Sequence, residues 1–432
     1  MFENRIPLFP KKTTIEHDQL FINQVDISEA AKQYGTPLYV YDQAEMDSAL
    51  NSYKSALDKY WGIDNWGITY AGKAYLSSHI CQWITANEID LDCTGAGEIG
   101  IAAHAGVSAA HIKVHGVNKT AEDLAAAIQY SGTIIVDNLT ELNRLAVLSK
   151  ANPLPELWLR FQPGSSVQTH SFTQTGHAGS KFGMDTEQIR FAVAFCKENN
   201  LPVTGLHFHQ GSQFRDPEPI GDGITRALDL VKEIGFEGDW HLSPGGGWGI
   251  AYHETELPDP SIDQYIQFVA ALVKEGCDQR GLTLPKLHLE PGRSLVARAG
   301  VSVYEVNALK TVGGKTWALI DGGLADNPRH ALYGARYSCL RTNSPFSSET
   351  QQVSLAGPYC ESGDVLIEDI DLPKLTEGEF VAIPVSGAYH LSMASNYNGA
   401  RRPAVILLHD GKTTLIQRRE TIKDLIDRDH LL

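Results

Sequence analysis

The 432-residue sequence has few cysteines, and none of them is spaced for a shared site. No two form a CxxC pair, which excludes a zinc ribbon or a thioredoxin-type redox motif. Scattered single cysteines are typical of a reducing compartment, so we expect a cytoplasmic location and no metal site. The six are Cys81, Cys93, Cys196, Cys277, Cys339 and Cys360.

Long runs of one residue class are also missing. No apolar stretch is long enough to span a bilayer, and residues 1–5 lead into no apolar core, so we expect neither membrane attachment nor a signal peptide. The formal net charge is −16 and no long basic run occurs, which argues against a nucleic-acid partner. A few local arginines can still bind an anionic substrate.

The sequence contains no close internal repeat, but β-rich and helical patterns alternate regularly along it. Helical patterns, such as those at 121–130 and 186–198, separate eight β-rich runs. This alternation indicates parallel strands with right-handed crossovers, and eight units fit a (β/α)₈ TIM-like barrel in the α/β class. The β-rich runs lie at 66–71, 89–93, 111–115, 133–136, 156–161, 203–209, 239–243 and 286–290.

Other local patterns complete the organisation. A further helix is predicted over 43–60 with Asp42 as its N-cap, and a polar functional loop over 164–180. After residue 301 short β-rich runs follow one another, with Asp410 and Gly411 as a hairpin turn. We therefore predict an N-terminal segment (1–36) that contributes to a β domain, a barrel (37–300) and a C-terminal β domain (301–432).

The unusual residues fall where the predicted strands end. In an eight-fold barrel the carboxyl ends of the strands form the active-site face, so these segments should converge there. They follow or close the first, second, sixth, seventh and eighth strands: Lys73, Asp92, His209, Gly245–Gly247 and Glu290–Arg293.

Each of these residues also has an ordinary structural explanation. A lone lysine after a strand is usually a solvated loop residue, although Schiff-base chemistry needs such an amine. The glycines at 245–247 could form a flexible turn, or they could let backbone N–H groups approach a phosphate. No Walker lysine follows them, so a nucleotide P-loop is not expected.

The remaining candidates are open to similar alternatives. His207 and His209 should point the same way into the barrel mouth, because side chains of a strand alternate between its two faces. They could be packed, could bind a metal with a third ligand, or could stack on a flat cofactor ring with Ser212 near a phosphate. Glu290 could face a pyridine nitrogen, and Arg293 could bind a phosphate or carboxylate.

At these residues the sequence resembles the fold-type III pyridoxal-phosphate decarboxylases. The resemblance covers nearly the whole chain, and nine segments occur in the family's order and spacing. They are YAGKAY, TGAGE at 94–98, SKFG at 180–183, HFHQGSQ, PGGGWGI, EPGRSLVARAG, NPRHALYGARY, GPYCESGD and GAYHLSMASNYN. The resemblance implies a barrel together with a β-sheet or β-barrel domain that is built from both chain ends.

The resemblance also implies residue roles, in which Lys73 forms the Schiff base and Cys360 donates a proton. His209 stacks on the ring, and Glu290 pairs with the pyridine nitrogen. The residues implied to contact pyridoxal 5′-phosphate are Lys73, Asp92, His209, Ser212, Gly245, Gly246, Gly247, Glu290, Pro291, Gly292, Arg293 and Tyr389. Those implied to bind the amino-acid substrate are Arg293, Arg329, Tyr333, Glu361 and Tyr389.

The implied activity is decarboxylation of meso-2,6-diaminopimelate to L-lysine and CO₂, in a head-to-tail homodimer whose sites share Cys360 and Glu361. Alternatives are the same chemistry on ornithine, carboxynorspermidine or a secondary-metabolism substrate, and a non-catalytic binding paralogue. Arg293 and Arg329 favour a substrate with a distal carboxylate. Gln210, where the family usually has an aliphatic residue, and the TGAGE segment depart from the family pattern.

Overall fold

The chain begins with three short antiparallel strands. They are β1 (Thr13–Glu16), β2 (Gln19–Ile22) and β3 (Val25–Asp26), followed by helix α1 (Ile27–Tyr34) and strand β4 (Leu38–Asp42). Helix α2 (Gln43–Tyr60) has the predicted bounds. The carboxylate of Asp42 accepts a hydrogen bond from the Ala44 backbone N–H at 3.2 Å, so the predicted N-cap is confirmed.

The computed structural model describes residues 2–164, 179–236 and 238–431. The chain forms two compact units, here called the sheet unit and the barrel unit. The sheet unit comprises Met1–Leu50, Ala251–Asp259 and Arg293–Leu432, and the barrel unit comprises Asn51–Ile250 and Pro260–Gly292. Most of the loop predicted over 164–180 lies outside the described residues.

The barrel unit contains a closed ring of eight parallel strands. All eight predicted runs form strands, which confirms the barrel. Residues of β8 are buried throughout, as is typical of strands covered on both faces. The strands are β5 (Trp66–Ala71), β6 (Asp90–Cys93), β7 (Ile112–Val114), β8 (Thr133–Val136), β9 (Glu156–Arg160), β10 (Val203–His207), β11 (His241–Ser243) and β12 (Lys286–Leu289).

Helices alternate with these strands. Two of the predicted helices, at 121–130 and 186–198, have the predicted bounds, and each begins with a capping box that pairs side chain and backbone at its first turn. The helices are α3 (Ser78–Ala86), α4 (Ala96–His104), α5 (Ala121–Tyr130), α6 (Leu139–Leu148), α7 (Thr186–Glu198), α8 (Gly221–Ile234) and α9 (Ile262–Arg280). No helix in the described part of the chain is long and apolar enough to cross a membrane.

The sheet unit is built around a nine-stranded mixed sheet. Its strands are β4, β13 (Gly300–Val312), β14 (Lys315–Ile320), β15 (Leu340–Arg341), β16 (Thr350–Ala356), β17 (Val365–Pro373), β18 (Phe380–Ile383), β19 (Ala404–His409) and β20 (Lys412–Gln417). Short helices α10 (Arg293–Val296), α11 (Arg329–Tyr333) and α12 (Ile422–Ile426) accompany them. Asp410 and Gly411 join β19 to β20 with positive φ at both residues, which confirms the predicted hairpin turn.

Both chain ends contribute to the sheet unit, as predicted. Strand β4 pairs with β13 and with β19, and residues before it, including Phe9 and Ile22, share a core with Val301 and Ile406. The predicted domain boundaries, after residues 36 and 300, stay a prediction. In the structure, strand β4 begins after residue 36 but belongs to the sheet unit, because it pairs with β13 and β19.

The barrel interior holds a cluster of aromatic and imidazole rings. Trp158 on β9 stacks on His241 with ring centroids 5.0 Å apart and meets His288 edge-on at 4.6 Å. This ring cluster fits because Gly205 on the neighbouring strand β10 has no side chain. A Cβ there would lie 2.7 Å from Trp158 Cδ1, closer than two carbon atoms can approach.

We predict that Gly205→Ala destabilises the barrel unit. The added methyl group overpacks the Trp158 ring, which should cost about 2 kcal/mol and lower the melting temperature followed by circular dichroism. Gly97→Ala in α4 is the control, because a Cβ there meets open space and alanine favours helix. Equal melting temperatures for the Gly205 variant and the wild type would contradict the packing argument.

Candidate functional site

One end of the barrel collects the chemically unusual residues of the barrel unit. Because all eight strands are parallel, residues that follow them lie at the same end. The structure therefore brings together, within this unit, every cofactor-contact residue predicted there. These are Lys73 after β5, Asp92 in β6, His209 and Ser212 after β10, Gly245–Gly247 after β11, and Glu290, Pro291 and Gly292 after β12.

Lys73 lies in a single 3-10 turn, Gly72–Ala74, directly after β5. Its neighbours Gly72 and Ala74 are buried, whereas the lysine itself is exposed at the strand end. A Cβ on Gly72 would lie 2.7 Å from the carbonyl oxygen of Asp92, so the turn must pack against β6 without a side chain. The close packing of this turn against β6 therefore fixes the position of the Lys73 backbone at the end of the barrel strand.

Asp92 is buried at the end of β6, beside the Lys73 turn. Burial raises the pKa of this carboxyl group to about 8, although the positive charge of Lys73 favours the ionised form. Its Oδ1 has no hydrogen-bond partner among the described residues, and the nearest ring nitrogen, His115 Nε2, lies 3.8 Å away. Asp92 can thus carry a proton near neutral pH.

Glu290 is the most strongly held acid at this end. Its Oε2 lies 3.0 Å from His207 Nε2, and its Oε1 accepts a hydrogen bond from the Ser243 hydroxyl at 2.8 Å. Burial opposes the charge, but the neighbouring His207 and the hydrogen bonds from His207 and Ser243 outweigh it and hold the pKa of Glu290 well below its usual range. The residue is therefore a buried, ionised carboxylate.

His115 lies between the two acids. Its Nε2 is 3.8 Å from Glu290 Oε1, and its ring meets that of His207 edge-on at 4.9 Å. Burial holds the pKa of His115 well below its usual range, so the ring is neutral. Buried atoms His115 Nε2 and His207 Nδ1 have no hydrogen-bond partner in the described part of the chain. Buried polar atoms of this kind are expected where a polar ligand binds.

The same three residues offer a second chemical possibility. Ligand atoms of His115, His207 and Glu290 all lie within 4.8 Å of one another, so they supply the third ligand that the sequence pattern lacked for a metal. However, His207 Nε2 and both Glu290 oxygens already make hydrogen bonds to each other or to Ser243. The absence of a metal remains a prediction.

The glycine run forms a cradle in which side chains cannot fit. A Cβ on Gly246 would lie 2.0 Å from the Glu290 carbonyl oxygen, and one on Gly247 would lie 2.2 Å from that of Gly211. Such positions accept only glycine. The Gly245 N–H donates to the Ser243 hydroxyl at 3.2 Å. The Gly246 N–H donates to His209 Nδ1 at 3.3 Å, which orients the imidazole ring.

His209 has the character of a flat, uncharged surface. Burial, followed by the positive charges of Lys73 and Arg160, holds its pKa well below the usual range. A neutral ring can lie against an aromatic cofactor without the cost of a buried cation. Ser212 is half-buried three residues later in the same loop.

The other predicted residues belong to the sheet unit. Arg293 begins α10, donates to the hydroxyl of Tyr252, and lies 4.7 Å from the ring centroid of Tyr389. Arg329 begins α11 and lies 4.5 Å from the ring centroid of Tyr252. Tyr252, which sequence reasoning missed, thus brings the two predicted substrate arginines together. Tyr333 ends α11 and is half-buried.

Cys360 and Glu361 occupy the loop between β16 and β17. Five of the six cysteines are buried and Cys360 is exposed, as is Glu361. The buried carboxylate of Asp364 accepts hydrogen bonds from the Tyr359 and Leu324 backbone N–H groups at 2.8 and 2.7 Å. These two hydrogen bonds to Asp364 order the loop that carries the exposed side chains of Cys360 and Glu361.

Sequence reasoning also missed several residues of the barrel site. Ser243 and His115 escaped it because serine and histidine at strand ends are common. Arg160 offered a clearer signal, since a charged residue directly follows the apolar run 157–159 in strand β9 and proves buried, with Asp137 at 3.6 Å. A buried arginine implies an acidic partner or ligand.

Comparisons with known proteins agree with this geometry. Residues 43–297 match the family model described as pyridoxal-dependent decarboxylase, pyridoxal binding domain. Diaminopimelate decarboxylase of Bacillus subtilis is 37% identical over 423 residues, with 96% of each chain covered. The sequence-based recognition of the family and its pyridoxal cofactor is therefore confirmed.

Solved structures extend the likeness to the backbone. A diaminopimelate decarboxylase from M. jannaschii superposes with a TM-score of 0.90 at 31% identity, covering 98% of both chains. A lysine/ornithine decarboxylase from Vibrio vulnificus, solved with putrescine, gives 0.75 at 26% identity, covering 89% of this chain and 97% of that one. By sequence and by fold, this chain belongs to the diaminopimelate decarboxylase group of the pyridoxal-dependent decarboxylase family.

Proposed function

We propose that this chain decarboxylates meso-2,6-diaminopimelate to L-lysine and CO₂ with pyridoxal 5′-phosphate as its cofactor. The observation that carries the proposal is the buried, ionised Glu290 at the same barrel end as Lys73. A carboxylate held there by His207 and Ser243 favours a protonated pyridine nitrogen over a neutral one. The family match and the relatives named above support the same reaction.

The residues present fit the cofactor. Lys73 would hold its aldehyde carbon, His209 would lie against its ring, and Glu290 would face its nitrogen. When bound, the cofactor supplies an electron sink for the bond that breaks when the carboxylate leaves. The rest of the predicted contact set in the barrel unit would surround it: Asp92, Ser212, Gly245, Gly246, Gly247, Pro291 and Gly292. For Arg293 and Tyr389, which belong to the sheet unit, contact with the cofactor is proposed from the family resemblance alone.

Four side chains of the protein would hold or transfer protons during the reaction. Glu290 stays a carboxylate because His207 and Ser243 donate to it, and it would favour a proton on a pyridine nitrogen placed opposite it. Asp92, whose pKa is raised to about 8 by burial, can exchange a proton near Lys73. Cys360, or Lys73 itself, would return a proton to the substrate Cα after CO₂ leaves.

Substrate choice would rest on the sheet unit. Arg293 and Arg329 lie 5.5 and 4.5 Å from the Tyr252 ring, so two guanidinium groups share one aromatic neighbour. Such a site attracts a distal carboxylate and repels the distal ammonium of a diamine precursor such as ornithine. Tyr333, Glu361 and Tyr389 would complete the contacts with the far amino-acid end of diaminopimelate.

The same proposal includes a head-to-tail homodimer in the cytoplasm. Cys360 and Glu361 are exposed on an ordered loop, which suits residues that complete the site of a second copy. The scattered, mostly buried thiols suit a reducing compartment.

A substrate panel tests the reaction directly. With meso-diaminopimelate, ornithine, arginine and lysine offered in parallel, we expect CO₂ release from diaminopimelate at a rate at least about a hundredfold above the others.

Lys73→Ala should abolish that release and the visible absorbance band of bound cofactor. Exposed Lys150→Ala is the control, which should match the wild type. Preference for ornithine would overturn the assigned substrate.

Mixing two variants tests the shared sites, provided that Cys360→Ala alone has lost activity, as expected if Cys360 is the proton donor. Lys73→Ala and Cys360→Ala damage different halves of a shared site, so a mixed dimer regains one intact site. Equal amounts should recover about a quarter of wild-type activity, because half of the dimers are mixed and each has one intact site. If activity stays at the level of the separate variants, each chain completes its own site.

A further inference from the structure

A line of buried polar groups runs behind Arg329 in the sheet unit. Arg329 Nη1 donates to the Tyr337 hydroxyl at 2.8 Å, and that hydroxyl lies 2.9 Å from His390 Nε2. His390 Nδ1 lies 3.4 Å from the Tyr39 hydroxyl, which donates to Asp326 Oδ2 at 3.0 Å. All five residues are buried, and four of them have no role in the reaction proposed above.

Hydrogen-bond chemistry gives this line one direction. An arginine can only donate, so the Tyr337 oxygen accepts from it and the hydroxyl proton must go to His390 Nε2. The imidazole proton is then on Nδ1, facing the oxygen of Tyr39. The Tyr39 proton in turn goes to the carboxylate of Asp326, which also accepts from Tyr304 at 2.6 Å. Each proton therefore has one acceptor along the line.

The same burial keeps Tyr337 and His390 each in one protonation state around neutral pH. It raises the pKa of Tyr337 to about 12, against the opposing charge of Arg329, so the hydroxyl keeps its proton. Burial, followed by the charges of Arg329 and Arg293, holds the pKa of His390 well below its usual range. A neutral imidazole is the acceptor that Tyr337 requires.

Two contacts of different kinds then fix the guanidinium of Arg329. The Tyr252 ring lies 4.5 Å from its central carbon, and the Tyr337 oxygen holds one N–H group. A guanidinium has five N–H donors in a rigid plane, and bidentate binding of a carboxylate demands that this plane be correctly turned. A Tyr337 hydroxyl free to rotate would hold the plane less firmly than one whose own proton is engaged.

We infer that Tyr337 and His390 are positioning residues that orient Arg329 and thereby set the preference for a substrate with a distal carboxylate. They act through Arg329 and not on the reacting atoms. This inference rests on the proposed function, because it assumes that Arg329 binds the far carboxylate of diaminopimelate. It assigns a role to His390, a residue that sequence analysis treated only as part of a family-like segment.

Steady-state kinetics of the cofactor-loaded full chain test the inference. Tyr337→Phe and His390→Leu should each raise the KM for diaminopimelate about tenfold and change kcat less than about threefold, because a misaligned guanidinium weakens binding but not bond cleavage. His390→Gln should restore the KM to within about threefold of wild type, since its amide oxygen can replace Nε2 as the acceptor.

A double variant separates positioning from general damage. Tyr337→Phe with His390→Leu should raise the KM no further than the more affected single variant, because both changes break one line. Tyr304→Phe is the matched control. It removes a buried hydroxyl at the far end of the line, which donates to Asp326 and lies 3.4 Å from the Tyr39 hydroxyl. This hydroxyl makes no hydrogen bond to Arg329, Tyr337 or His390, so we expect a lower melting temperature and an unchanged KM.

The outcomes are distinguishable. If the wild type releases no CO₂ from diaminopimelate, the proposed function fails, and the inference fails with it. If the wild type is active but both single variants keep its KM, or if Tyr304→Phe raises the KM as much as they do, the inference alone is wrong. Additive effects in the double variant would also overturn it.

Discussion

The buried carboxylate of Glu290 is the interaction on which the site depends. A lone carboxylate in a barrel mouth would be driven toward its neutral form by loss of water. Two donors prevent this, because His207 and Ser243 each engage one of its oxygens. Their strands, β10 and β11, are hydrogen-bonded neighbours, and β11 also pairs with β12, which ends before Glu290. The charge of the site is therefore fixed by the barrel itself.

The glycines follow from the same constraint. Glu290 donates its backbone N–H to the Gly245 carbonyl at 3.0 Å, and a Cβ on Gly246 would collide with the Glu290 carbonyl. The loop after β11 can approach the loop after β12 this closely only without side chains. The cradle proposed for the phosphate and the carboxylate proposed for the pyridine nitrogen are thus two results of one close packing.

Much of this arrangement could be predicted from the sequence, because it depends on local patterns. Apolar runs such as TIIV mark the eight strands, and the strand-end position of Lys73, Asp92 and Glu290 follows once the barrel is recognised. What could not be predicted depends on approaches between distant residues. His207 and Glu290 are 83 positions apart, and Tyr337 and His390 are 53 apart. A lone histidine or tyrosine carries no local sign of such a partner.

Replacement of Glu290 by glutamine tests the central claim most directly, since it removes the charge and keeps the shape. We expect the Glu290→Gln variant to keep the visible absorbance band of cofactor bound at Lys73. It should release CO₂ from diaminopimelate at least about a hundredfold more slowly than the wild type. A rate within about threefold of the wild type, measured on fully loaded enzyme, would contradict a role for the held carboxylate in the reaction.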